Sequence, residues 1–140
     1  MYGAGNGTVT GSSMHTEKVF FGFFVLLALT LNFGFFLGEI DNPDHHNVYE
    51  LFAALVVSLI ATILKLGERS QIGALLLAAS LVADLQLIAA ATVWAIAVHV
   101  TDVGLSPMVM ASIVSLSGGA LLANMVSAVL VTVETATLTR

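Results

Sequence analysis

Apolar residues run almost without interruption through four stretches, at about residues 19–38, 47–66, 72–98 and 107–133, and short polar segments separate them. Each stretch has 18 or more residues, enough for a helix rising 1.5 Å per residue to cross a hydrocarbon core about 30 Å thick. The pattern predicts an all-α, four-helix transmembrane bundle occupying residues 16–140. Residues 1–15 are rich in Gly, Ser and Thr, lack the cationic start of a secretory signal, and read as a flexible N-terminal tail.

The punctuation fits these spans. Thr16 and Glu17 suit the cap and first turn of the first helix, and Asn42 followed by Pro43 suits an early start to the second. Gly67–Gln71, reading GERSQ, ends the second span, and HVTDVGLSP ends the third, which is longer than a perpendicular crossing requires and so implies tilt. Seven of the eight Phe lie in or beside the first span, near its two ends, where rings favour the bilayer interfaces.

Composition reinforces the membrane reading: 58% of the residues are hydrophobic and 9% charged, against about 25% charged in soluble domains. The net charge of −5 and four scattered cations exclude a nucleic-acid surface, which needs clustered Lys and Arg. With no Cys, thiolate and disulfide chemistry are absent.

Those four cations set the expected topology. Lys and Arg near span ends stay on the cytoplasmic side, and four spans put Lys18, Lys65, Arg69 and Arg140 on one face, with both termini. The opposite face then carries Glu39, Asp41, Asp44, Glu50 and Asp102 with His45, His46 and His99. This outer patch could attract cations. Helical spacing pairs His46 with Glu50 and, if the third helix runs far enough, His99 with Asp102. Two such pairs meeting could ligate a metal whose identity the residues leave open, and His could also sense pH. A wet, capped turn would carry the same residues with no ligand.

Asp84, in LVADLQLIA, stands near the centre of the third span. An ionised carboxylate there costs at least about 2.5 kcal/mol, and such residues face the bundle interior or a water-filled path. Ser80 lies one turn before it and Ala91 and Ala95 after it, so its helical face is small and polar, whereas Gln86 points elsewhere. The residue could be a cation ligand, a proton carrier, or a neutral acid bonded across a helix interface. Asn32 and Asn124, the amides within the first and fourth spans, extend the candidate cation or proton path, with hydrogen bonding between helices as the plainer expectation.

Small residues form possible packing seams: Gly34 and Gly38 in the first span, Ala54, Ser58 and Thr62 in the second, and Ser115, Gly119, Ala123 and Ser127 at four-residue spacing in the fourth. They serve packing within one chain or between copies equally well. No phosphate loop, HExxH, Ser-His-Asp set or potassium-channel filter is present, so no catalytic residue, enzyme activity or cofactor is expected.

The stretches TEKVFFGFF, ALTLNFGFFLGEIDNPDHHNVYELFAA and SLVADLQLIAAA resemble a small bacterial integral membrane family without assigned activity, over residues 14 to about 100. The resemblance implies an inner-membrane location and no mechanism. The residues themselves favour a protein of cation transport or its regulation, embedded in the lipid bilayer and acting as a homo-oligomer or as a subunit of a membrane complex. The alternative is a non-conducting accessory subunit that docks through its small-residue seams.

Overall fold

The computed structural model describes the backbone of residues 2–138 and the side chains of residues 16–137. It consists of α1 (Tyr2–Phe36), α2 (Val48–Lys65), α3 (Gln71–Ala95) and α4 (Pro107–Leu138), with a 3₁₀ turn at Pro43–His45 and a π turn at Ile96–Val100 that continues α3. Among the described residues there is no strand. All four helices are long and apolar enough to cross a membrane, and between 28% and 33% of each span is buried within the chain. The remaining surface carries residues such as Val19, Phe20, Ile63, Leu85 and Val129 outward, an apolar perimeter that suits lipid and not water.

Each helix packs on its neighbours in chain order, and α4 closes the ring against α1. The short links 66–70 and 101–106 enforce antiparallel neighbours. Two apolar clusters fill the interior. One contains Phe35, Leu51, Leu87, Met110, Ile113 and Val114, towards the end bearing the acidic loops, and the other contains Phe21, Val25, Ala61 and Leu76, towards the end bearing the termini.

Local chemistry sets the helix ends, in places differently from the sequence expectations. Thr16 and Glu17 lie inside α1 and do not cap it. The expected flexible tail, residues 1–15, has its backbone in α1 from Tyr2 onward, and its side chains lie outside the described residues. Asn42 and Pro43 do start a helical turn, with Asn42 Oδ1 accepting from the Asp44 N–H at 3.0 Å, but it is the separate 3₁₀ turn. Asn47 caps α2 instead, accepting from the Tyr49 N–H at 2.8 Å. Ser70 Oγ caps α3 by accepting from the Gly73 N–H at 3.0 Å.

Candidate functional site: a polar layer in the bundle interior

Each helix carries buried polar residues near the change from one apolar cluster to the other, apart from Ser117 within the first cluster and Lys65 and Glu134 at the terminal end. In α1, Asn32 stands between Val25 and Phe35; in α2, Ser58 stands between Ala54 and Ala61, with Thr62 following. In α3, Ser80 stands between Leu76 and Ala83, with Asp84 next. In α4, Asn124 and Ser127 stand between Ala123 and Ala128. These seven side chains make up a polar middle section of the four helices, within which Ser58 and Thr62 contact Asp84 directly. This section contains Asp84, Ser80, Asn124 and Asn32, the four residues expected on a path, and adds Ser58, Thr62 and Ser127.

Asp84 is 5% exposed and is held by α2. Ser58 Oγ lies 2.6 Å from its Oδ1 and Thr62 Oγ1 lies 2.5 Å from its Oδ2. Ser58 and Thr62 are four residues apart, so both hydroxyls share one face of α2 and grip the carboxyl from its two oxygens. Thr62 Oγ1 is also 3.0 Å from the Ser58 carbonyl oxygen, the back-bond common to Thr within helices. No described Lys or Arg forms an ion pair with Asp84.

A hydroxyl has one proton to donate. Thr62 therefore cannot serve the Ser58 carbonyl and Asp84 together unless the carboxyl itself carries a proton. With a proton on Oδ2, the acid donates to Thr62 Oγ1, Thr62 donates to the Ser58 carbonyl, and Ser58 Oγ donates to Oδ1. Every group is then satisfied without a net charge. Without that proton, rotation of the Thr62 hydroxyl gives a carboxylate that accepts from both side chains. The same heavy-atom positions thus support either protonation state.

The other half of the layer is different. Asn32 is 0% exposed and neither its amide nitrogen nor its oxygen has a hydrogen-bond partner. Asn124 Nδ2 and Ser127 Oγ are likewise buried and unpaired. The hydrogen bonds between helices expected of the two Asn are not formed.

The acidic loops do not assemble as a metal centre. Among the described residues, no group of three His, Asp or Glu side chains comes together. His46 is buried against the end of α1, its Nδ1 2.5 Å from the Phe35 carbonyl oxygen and its Nε2 2.7 Å from that of Glu39. Those contacts occupy both nitrogens, so the His46–Glu50 ligand pair is unavailable, and only a doubly protonated ring could donate to both carbonyls. His45 Nδ1 accepts from the Glu39 N–H at 2.8 Å. Glu50 lies against Gly34 of α1, Asp41 and Asp44 are exposed, and His99 rests edge-on to Trp94 with 5.4 Å between ring centroids. The π turn ends the helix before Asp102, whose φ of 57° breaks the spacing that would have paired it with His99.

The expected packing seams survive in part. Ala54, Ser58 and Thr62 are buried, as are Ala123 and Ser127, and Gly34 and Gly119 admit Glu50 and Gln86 at close range. Ser115 is exposed because the buried face of α4 passes through Val114 and Ser117. Gly38 lies beyond α1, in a turn with φ of 102°, against His45. It is a turn glycine and not a seam residue.

Sequence reasoning gave no role to Glu134. Its carboxylate is buried at the terminal end, 3.2 Å from Lys18 Nζ and 4.0 Å from Lys65 Nζ. Lys65 is itself 4% exposed, pairs with Glu68 at 3.7 Å and lies 4.7 Å from the Phe21 ring centre. The signal was available as a lone acid in an apolar segment, but the expected span stopped at residue 133 and left Glu134 outside.

The family described as a family of unknown function, DUF6394, matches residues 45–135. The chain belongs to this family. The match contains α2, α3 and most of α4, so Ser58, Thr62, Asp84, Asn124, Ser127 and Glu134 all lie inside it, while Asn32 and Lys18 lie outside. It overlaps the stretch of the resemblance drawn from sequence between residues 45 and 100. No curated protein and no solved structure matches the chain.

Proposed function

We propose that this DUF6394 membrane protein handles cations, that the proton is the cation it takes, and that Asp84 binds it. The observation carrying this reading is the clasp of Asp84 by Ser58 and Thr62, which accommodates the carboxyl with or without a proton through rotation of one hydroxyl. A carrier needs both states at one position. The clasp offers two carboxyl and two hydroxyl oxygens, fewer than the six to eight that surround Ca²⁺, and lacks the octahedron Mg²⁺ requires. It is equally short of the carbonyl rings that replace the hydration shell of K⁺.

On this reading the protein resides in the bacterial inner membrane with both termini cytoplasmic, and it is not an enzyme. The acidic loops, Asp41, Asp44 and Asp102 among them, face outward and raise the local cation concentration electrostatically without ligating a metal. A chain of this size oligomerises or joins a larger complex to enclose a path.

The test is proton flux into liposomes holding the purified protein, driven by a pH gradient, for wild type and Asp84→Asn. Flux that the substitution abolishes is expected. Equal flux in both would remove Asp84 from the path, and no flux in either would shift the reading to a non-conducting subunit in which the same clasp ties α2 to α3.

A further inference from the structure

We infer that the polar layer holds water between α1 and α4, bound by Asn32, Asn124 and Ser127. This goes beyond the proposed role of Asp84 and does not depend on any transport activity. Register puts Asn32 and Asn124 near one depth, with Ser127 nearly a turn further towards the terminal end. On α1 and α4, Lys18 pairs with Glu134, Gly22 faces Val131 and Phe36 faces Gly118, so facing positions sum to between 152 and 154. Asn32 and Asn124 sum to 156, two to four residues from that register, and Ser127 is nearly one further turn along α4.

Their chemistry selects the occupant. The unpaired atoms are the Asn32 amide nitrogen and oxygen, the Asn124 amide nitrogen and the Ser127 hydroxyl. Together they present more N–H and O–H donors than acceptors, which disfavours a bare metal cation. No described Lys or Arg makes an ion pair here, so the site has no counter-charge for an anion either. Water accepts from the two amides and donates to the Asn32 oxygen or the Ser127 hydroxyl. Leaving buried amides and a hydroxyl unpaired is costly, and a bound water, typically making about three hydrogen bonds, removes that cost. A second copy of the chain cannot do this, because Asn32 is wholly covered by its own bundle.

The α1–α4 seam is also open where the residues lie. Leu29, Thr30 and Phe33 of α1 with Leu121 and Met125 of α4 border a lipid-facing groove of about 380 Å³, and these residues flank Asn32 and Asn124 in sequence. Neither Asn32 nor Asn124 lines the groove, and both are buried, which keeps them from lipid tails.

The experiment is water-edited solid-state NMR on the full chain in liposomes. Labelling with ¹⁵N-Asn gives five side-chain amides, at Asn6, Asn32, Asn42, Asn47 and Asn124. Asn42 and Asn47, in the loop, serve as wet references. Water magnetisation is expected to reach Asn32 and Asn124 about as readily as the loop amides, and Asn124→Leu is expected to diminish the transfer at Asn32. Asn32 and Asn124 both remaining dark while the loop amides respond would overturn the inference. So would transfer to one amide alone, because the site requires both. Thermal unfolding adds an independent reading, since replacing a dry, unpaired Asn124 with Leu raises stability whereas removing a water ligand lowers it.

Discussion

At Asp84 the neutral acid and the asparagine amide are near equivalents. In Asp84→Asn, the amide nitrogen can donate to Thr62 Oγ1 and the amide oxygen can accept from Ser58, reproducing the protonated clasp bond for bond. The substitution is therefore expected to leave thermal stability within about 1 kcal/mol of wild type while removing proton binding, which makes it a clean test of flux. Thr62→Val keeps the shape but leaves Oδ2 without its hydroxyl. It is expected to cost about 1–3 kcal/mol in unfolding experiments, and a neutral result would mean that Thr62 does not serve the carboxyl. At Gly38, φ of 102° and the adjacent His45 ring both oppose a side chain, whereas Gly67, with φ of 87°, faces open space. Gly38→Ala should therefore lower the melting temperature more than Gly67→Ala, with the backbone alone costing about 1–2 kcal/mol.

The four helices were legible because hydropathy and length dictate them in a bilayer, and Asp84 was legible because a carboxyl at mid-span is expensive. Its partners were less so. From sequence, Ser58 and Thr62 read only as small residues that let helices approach, since spacing along α2 says nothing about which neighbour their hydroxyls meet. The His46–Glu50 pair was suggested by helical spacing, but His46 precedes the start of α2 and turns back to the carbonyls ending α1. Glu134 shows what span counting alone loses. It joins Lys18 and Lys65 across three helices, and a buried ion left without its partner is strongly destabilising. Lys65→Met and Glu134→Leu are each expected to cost on the order of 3 kcal/mol, and the double substitution less than the sum, because it leaves no orphaned charge within the Lys65–Glu134 pair. Strict additivity in a double-mutant cycle would show the two residues to be independent.

Across the whole molecule, an even number of spans puts the termini and the α2–α3 turn at one end and the two acidic loops at the other. Four spans put all four cations of the sequence at the terminal end, so their bias predicts which way the bundle faces: termini inward, Asp41, Asp44 and Asp102 outward. The absence of native Cys makes the prediction simple to check by single-cysteine labelling. Asp44, Val103 and Gln71 are exposed and belong to the two acidic loops and the opposite end, respectively. Replacing them one at a time leaves Lys18, Lys65, Arg69 and Arg140 in place, and acidic residues contribute little to orientation. In intact cells whose inner membrane faces the reagent, a membrane-impermeant maleimide should label Asp44→Cys and Val103→Cys, and should reach Gln71→Cys only after permeabilisation. The reverse pattern would invert the bundle and turn the acidic loops towards the cytoplasm, where they could not gather cations from outside. Labelling of all three from one side would contradict four crossings, and with them the ring of helices that buries Asp84.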